Sequence, residues 1–375
     1  MTVGLSREEA FEVLNGLPAI GPVSLNRLLD SFGHDPIRIF EASRVELSSI
    51  KGVRRPSVDT LLDWRTHFNL SRASSTAVQM GAEFVSREST RYPRLLKEIS
   101  DPPIGFYCLG NYDFSKPQVA MVGSRKVSAY GKAVAESFAR DLASVGVCVV
   151  SGMARGIDTY SHRGALLAKS GSTVAVLGCG LNIVYPPENL DVYRSVQENG
   201  AVISEFPFGR NADKQTFPMR NRLVSGMSEA VIVVESDVAG GSMITARFAG
   251  EQGRILFAVP GRIDQRTSKG CNQLIRDGAI LLSSVDELLE ELRYNMVSTP
   301  MDDTNDEATH GADLSDLESA ILKTLRGGEA YSVDELASKF SLSVGSLSST
   351  LMMMELDGHI AKRLDGKYEA SVRVG

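Results

Sequence analysis

Cysteine and histidine are scarce in this 375-residue chain, at four and five residues, and there is a single tryptophan. Cys108, Cys148, Cys179 and Cys271 lie far apart, so neither a metal-ligand spacing nor a disulfide framework can be read from them. Three sit in or beside apolar strand-like runs, where a thiol behaves as a small hydrophobe, and the pattern fits a reducing, cytoplasmic setting. His34, His67, His162, His310 and His359 are scattered as well. His162 follows Ser161, but no third member of a nucleophilic triad accompanies them, so a hydrogen-bonded helix histidine is expected. No apolar run is long enough to span a bilayer, and the segment Met1–Arg7 carries no signal-peptide core, so no membrane partner is expected. Excess positive charge is missing too. A formal net charge of −6 argues against a protein that coats nucleic acid over its whole surface, but it leaves room for a local basic groove.

What the chain does contain points to several domains. With 43% hydrophobic and 23% charged residues it reads as globular, and it is too long for one ordinary domain. Residues 1–82 read as short helices. Leu17-Pro-Ala-Ile-Gly-Pro-Val-Ser and Leu47-Ser-Ser-Ile-Lys-Gly-Val each place a tight glycine turn between helices, the pattern of a small SAM/helix-hairpin-helix-like domain. Such turns can offer backbone N–H groups to a DNA phosphate, yet packing, or at most weak DNA contact, is the expected role.

Residues 83–295 alternate strand and helix. Short Val- and Ile-rich runs at Val119–Val122, Val147–Val150, Val174–Leu177, Ala201–Ser204, Ala230–Val234 and Ile255–Val259 look like strands buried on both faces. Helical patterns at Gly131–Val145, Thr159–Lys169, Glu188–Glu198, Arg220–Met227 and Ser242–Gln252 separate them. Repeated βα units predict an α/β fold built on a Rossmann-like, doubly wound, mainly parallel sheet. Residues 296–313 are acidic and polar and read as a flexible linker. Residues 314–375 read as a winged-helix domain. Leu317, Ile321 and Leu325 form one helix stripe, Ser332 with Glu335 gives a capping signal, Gly345–Leu356 makes a third helix, and Ile360–Tyr368 makes a two-stranded wing with an Asp-Gly turn. The third helix carries three methionines and neither Arg nor Lys. Partner binding or a structural role therefore weighs at least as much as base reading.

Ligands of doubly wound sheets sit beyond the carboxyl ends of the strands, and the unusual residues of this chain collect in those loops. Val119-Ala-Met-Val-Gly-Ser-Arg-Lys-Val-Ser-Ala-Tyr-Gly131 reads as a strand, a tight turn and a helix start. Helix starts expose N–H groups and a partial positive charge, which suit a phosphate. Ser124, Arg125, Lys126 and Ser128 add charge and hydroxyl donors. A Walker lysine at the required spacing and the triple-glycine dinucleotide pattern are both absent, so neither a nucleoside triphosphate nor NAD is expected and no cofactor is assigned. Glycine, serine, asparagine and arginine at one edge of a sheet predict an anion groove.

These loops resemble a known family. Val-Gly-Ser-Arg at 122–125, Ser-Gly-Met-Ala-Arg-Gly-Ile-Asp at 151–158, Phe-Pro-Met-Arg-Asn-Arg at 217–222, Gly-Gly-Ser-Met-Ile-Thr-Ala-Arg at 240–247 and Gly-Cys-Asn-Gln-Leu-Ile-Arg-Asp-Gly-Ala at 270–279, in this order, closely resemble the DNA-processing protein A (DprA, also called Smf) family. The resemblance spans the whole middle region, and both flanking parts are similar to the family's longer members. It implies a bacterial cytoplasmic protein that binds single-stranded DNA, protects incoming strands during natural transformation, loads the recombinase RecA and forms a homodimer through the Rossmann-like domain. The family is not known for enzymes. By the family pattern, Arg125, Lys214, Phe217, Arg220 and Asn221 are the leading site residues. Ser124, Ser128, Arg222 and the Gly240-Gly241-Ser242 amides are further donors, and Arg155 and Lys269 are outlying ones.

These residues suit an unpaired strand, which needs cations and N–H donors for its backbone and flat groups for its bases. A rival reading comes from nucleoside-monophosphate phosphoribohydrolases of the lysine-decarboxylase-like (LOG) family, which use a Gly-Gly-x-Gly-Thr-x-x-Glu motif. Gly240-Gly-Ser-Met-Ile-Thr245 followed by Glu251 is a loose echo, with the third glycine missing and the glutamate displaced. Asp158 and Glu205 are the carboxylates nearest the loops, and they are expected to bind N–H groups or pair with groove arginines.

Overall fold

The structure is a computed structural model, and it describes residues 4–292, 315–325, 330–340, 342–356, 359–362 and 366–370. The chain divides into two compact units, residues 1–297 and 298–375. The expected linker at 296–313 lies outside the described residues.

The first unit is built on a nine-stranded sheet: β1 (Ala82–Ser86), β2 (Gly105–Gly110), β3 (Gln118–Val122), β4 (Cys148–Ser151), β5 (Thr173–Val176), β6 (Ala201–Ser204), β7 (Ala230–Val233), β8 (Ile255–Ala258) and β9 (Ile280–Leu281). Their order is β1-β2-β6-β5-β4-β3-β7-β8-β9. The run from β6 through β9 is parallel, as the repeated βα units require, and all six expected strands are found within a residue or so. β1 and β2 add an antiparallel edge that the sequence reading left out. In β2 the aromatic residues Phe106 and Tyr107 point to opposite faces and both are fully buried, so the strand lacks the Val/Ile run that marks its neighbours.

Side chains alternate cleanly between two cores. Val119 and Met121 of β3 face the helices Ala129–Ser144 and Ile157–Leu167, while Ala120 and Val122 face the helices Thr216–Gly226 and Gly241–Glu251. Helices thus cover both sides, as in a doubly wound α/β fold. The helical segment before β1 begins with a Ser6/Glu9 capping box, and its two glycine turns sit between helices as expected. It packs onto the β1–β2 edge: Tyr107 donates to Glu12 at 3.0 Å, Asn15 donates to the Glu205 carbonyl at 2.8 Å, and Ile104 and Phe84 join its core.

The second unit has helices Asp316–Leu325, Val333–Phe340 and Val344–Leu356 and an antiparallel pair, β10 (Ile360–Lys362) and β11 (Tyr368–Ala370). Ile321, Leu325, Leu336, Leu347, Leu351 and Tyr368 close its core. The Ser332/Glu335 cap is formed in both directions, at 2.6 and 3.2 Å. The wing turn lies partly outside the described residues. Among the described residues no helix is long and apolar enough to cross a membrane.

Candidate functional site

From β3 the chain lays β4, β5 and β6 to one side and then β7, β8 and β9 to the other, so the strand order reverses between β3 and β7. The crevice outside the carboxyl ends at such a reversal is where this architecture places ligands. A groove of about 610 Å³ opens there, walled by the loops after β3, β4 and β7 and by the helix Thr216–Gly226.

Ser124 knits the walls together. Its N–H donates to the Glu235 carbonyl at 2.7 Å, and its own carbonyl accepts from Ile157 N–H at 3.1 Å. Glycine is required on both sides of that knot. A Cβ on Gly123 would stand 2.5 Å from Ile157, and Gly156, at φ +77°, would drive one to 2.2 Å from the Ser124 carbonyl. The turn holds Arg125 and Lys126 exposed at the rim. The Arg125 guanidinium lies over the Phe217 ring, 4.8 Å from its centroid, and Tyr185 approaches the same ring at 5.7 Å. The helix Gly241–Glu251 starts on the groove without a side-chain cap, so its first amides are left to the ligand side.

The helix Thr216–Gly226 sorts its own motif. Phe217, Arg220 and Asn221 follow i, i+3, i+4 spacing and all line the groove. Arg222, two residues past Arg220, is turned to another side. It is buried, donates to both Glu205 carboxylate oxygens at 2.6 Å, and bonds the Asp101 carbonyl at 2.6 Å. Arg220 is buried as well and donates to the carbonyls of Gly152 and Val176. It ties the ends of β4 and β5 beneath the groove. Asp158 lies beside it, accepting from Ala154 N–H at 3.2 Å. Burial pushes the Asp158 carboxyl up, against the opposing pull of Arg220. Burial also raises Glu205, opposed by Arg222. Both carboxylates therefore satisfy amides and arginines, as expected. His162 is buried and stays neutral, its pKa lowered to about 3 chiefly by desolvation, with its Nδ1 2.7 Å from Thr173 Oγ1.

The structure thus gathers Ser124, Arg125, Phe217, Arg220, Asn221, Gly240, Gly241 and Ser242 around one groove. It corrects others. Arg222 is removed from the rim, because its charge is taken by Glu205. The Ser128 hydroxyl is consumed by capping Gly131 N–H and bonding Glu235 at 2.6 Å. The Ser242 hydroxyl donates to Ser236 at 2.7 Å, which leaves its backbone amide, the donor expected from the sequence, on the groove side. Arg155 lines the smaller hollow beside Tyr185 and Phe217 and is paired with Glu188. Lys214 and Lys269 are exposed on the flanks, outside the residues that line the groove. Two groove neighbours were passed over. Tyr185 carries no motif signal, and Arg266, paired with Asp237, falls between the motifs at 240–247 and 270–279. Glu251, the residue in doubt for the phosphoribohydrolase reading, ends its helix about 15 Å from the groove-side start and pairs with Arg247 at 3.4 Å.

A doubly wound sheet with a cationic, amide-rich crevice at its switch point defines a Rossmann-like α/β protein. More narrowly, the chain belongs to the DNA recombination-mediator protein A family, the DprA/Smf family: that family's model matches residues 83–293, and the DprA winged helix domain matches residues 305–367. It is 30% identical over 381 residues to Protein Smf of Synechocystis, covering 93% of this chain and 95% of that one. It is 36% identical over 287 residues to Protein Smf of Escherichia coli, covering 76% of each. The solved structure of DNA processing protein A from Streptococcus pneumoniae superposes with a TM-score of 0.67 at 32% identity, over 76% of this chain and 98% of that one. DNA processing protein A from Helicobacter pylori, solved for its single-stranded DNA binding mode, does so with a TM-score of 0.51 at 31% identity, over 56% and 96%.

Proposed function

We propose that this DNA-processing protein binds single-stranded DNA along the switch-point groove, without reading its sequence and without catalysis. In this reading it acts in the cytoplasm, protects incoming strands during natural transformation and recombination, and delivers them to RecA. The observation that carries the reading is the Arg125–Phe217 contact beside an uncapped helix start: a cation, a flat ring and free amides on one rim. These are the three things an unpaired strand offers partners to. Arg125 holds a phosphate in the groove, Lys214 on the flank meets the strand only where it leaves the groove, Phe217 carries a base, and the Gly241 and Ser242 amides with Asn221 supply neutral donors. Arg220 serves as the post that keeps the loops in place. The similarity to the Helicobacter pylori protein supports the ligand. A homodimer would put two grooves on one particle and raise avidity through effective concentration.

The test is a fluorescence anisotropy titration with oligo-dT run beside a nucleoside-monophosphate hydrolysis assay. Salt-sensitive strand binding without turnover is expected. Release of ribose phosphate, or preference for a specific duplex over oligo-dT, would overturn it.

A further inference from the structure

The geometry points to a continuation of the strand path outside the groove, over the outer side of the helices Ala129–Ser144 and Ile157–Leu167, where Tyr160 receives a base and Lys132 a phosphate. This rests on the single-stranded DNA reading above.

Tyr160 sits one helical turn beyond the rim. Its N–H donates to the Gly156 carbonyl at 3.2 Å, and Gly156 is the residue pressed against Ser124 and Arg125. Lys132 stands one turn beyond Ser128 in the same way, its N–H on the Ser128 carbonyl at 3.0 Å. A turn advances about 5.4 Å, so both lie next to the groove's edge rather than on a remote face. Here the two side chains meet across the helices: Lys132 Nζ is 5.1 Å from the Tyr160 ring centroid, and Arg163 Cζ, on the same helix as Tyr160, is 6.0 Å from it. The ring is half-buried and packs on the core beneath, while both cations are exposed. Its hydroxyl makes no hydrogen bond among the described residues, so the site offers the ring itself. Lys132 has no carboxylate within ion-pair range among the described residues. Arg163 shares its charge with Asp191 at 3.3 Å. Glu136 and Asp191 line the next hollow together with Arg163, and their negative charge ends the track there.

A flat ring framed by flexible cations is the surface on which single strands bind without sequence preference. Tyr160 held for folding alone would need no free cation beside it. The path adds length to the footprint, and its contribution appears only with a strand long enough to leave the groove.

The experiment compares the full chain with Tyr160→Ala, Tyr160→Phe and Lys132→Ala in anisotropy titrations. Two oligo-dT probes are used, one of about six nucleotides, near the short end of the usual footprint range, and one of about twenty, beyond its long end. Tyr160→Ala is expected to weaken the long probe roughly five- to tenfold and leave the short one unchanged, with Tyr160→Phe retaining the long-probe affinity. Lys132→Ala, an exposed change that spares the fold, is expected to lower the salt slope for the long probe only, by about one. Equal affinities for wild type, Tyr160→Ala and Lys132→Ala on the long probe would overturn the path while leaving the groove reading intact. So would a loss of equal size on both probes. Absence of binding by the wild-type chain to either probe would remove both readings.

Discussion

The Arg125 guanidinium rests over the Phe217 ring, joining the turn after β3 to the helix that closes the groove. At an exposed site such a contact is worth about 0.5–1 kcal/mol. A nucleobase stacked on the same ring is worth about 1–3 kcal/mol. The base therefore wins the ring, and the displaced guanidinium is freed for the neighbouring phosphate. Phe217→Ala should lower oligo-dT affinity by at least about fivefold, and Phe217→Trp should keep it. A titration in which Phe217→Ala binds like wild type would remove the ring from the site.

Arg125 and Arg222 should separate binding from stability. Arg125 is exposed, so Arg125→Ala should leave the melting temperature nearly unchanged while reducing the salt slope of strand binding by about one. Arg222 is buried against Glu205, and removing one partner of a buried pair costs about 3–5 kcal/mol. Arg222→Met should lower the melting temperature sharply, and adding Glu205→Leu should recover much of the loss. A salt slope that falls in Arg222→Met protein still folded at low temperature would return that arginine to the rim.

Much of this was legible in the sequence because continuous Val/Ile runs are what a strand covered on both faces demands, and β3 to β8 have them. The glycine turns at 123, 156 and 240 marked the loops, and the loops marked the groove. The edges were harder. β9 is two exposed residues, and β1 is half-exposed, so neither carries a strong pattern. Within the site, Phe-Pro-Met-Arg-Asn-Arg looks uniformly basic when read as a line. Helical geometry splits it: positions 217, 220 and 221 share a face, while position 222 turns to Glu205. What identified Arg222 as internal was a carboxylate 17 residues away, a pairing that local spacing does not reveal.

His162 should give the fold a sensitivity to mild acid. Thr173 Oγ1 donates its proton to the Val149 carbonyl at 2.5 Å, so His162 Nδ1 must be the donor to Thr173. Nε2 is then a bare acceptor, with no partner among the described residues. Burial lowers the folded-state pKa from 6.5 to about 3. Above about pH 6.5 both folded and unfolded forms are neutral, and the full stability is present. Between there and about pH 3 the unfolded chain binds a proton that the folded chain refuses, and stability falls by about 1.4 kcal/mol per pH unit. Urea unfolding at pH 7 and pH 5 should therefore differ by roughly 2 kcal/mol more in wild type than in His162→Gln. Parallel behaviour of the two proteins would contradict the buried neutral ring.

The same exchange of glycine for alanine should act with opposite sign at two places. Gly156 lies at φ +77° and ψ −129°, a region almost closed to other residues, and its new Cβ would meet the Ser124 carbonyl at 2.2 Å. Strain there costs on the order of 1–3 kcal/mol, and relieving it means moving Ser124, which carries Arg125 with it. Gly156→Ala should lower both the melting temperature and oligo-dT affinity. Gly250 lies inside the helix Gly241–Glu251, and a Cβ on it would meet nothing within 4 Å. Gly250→Ala should stabilise by up to about 1 kcal/mol through helix propensity and leave affinity alone. If Gly156→Ala binds the strand normally despite its lowered stability, the Ser124 knot does not position Arg125, and the rim must be held in shape from the helix side instead.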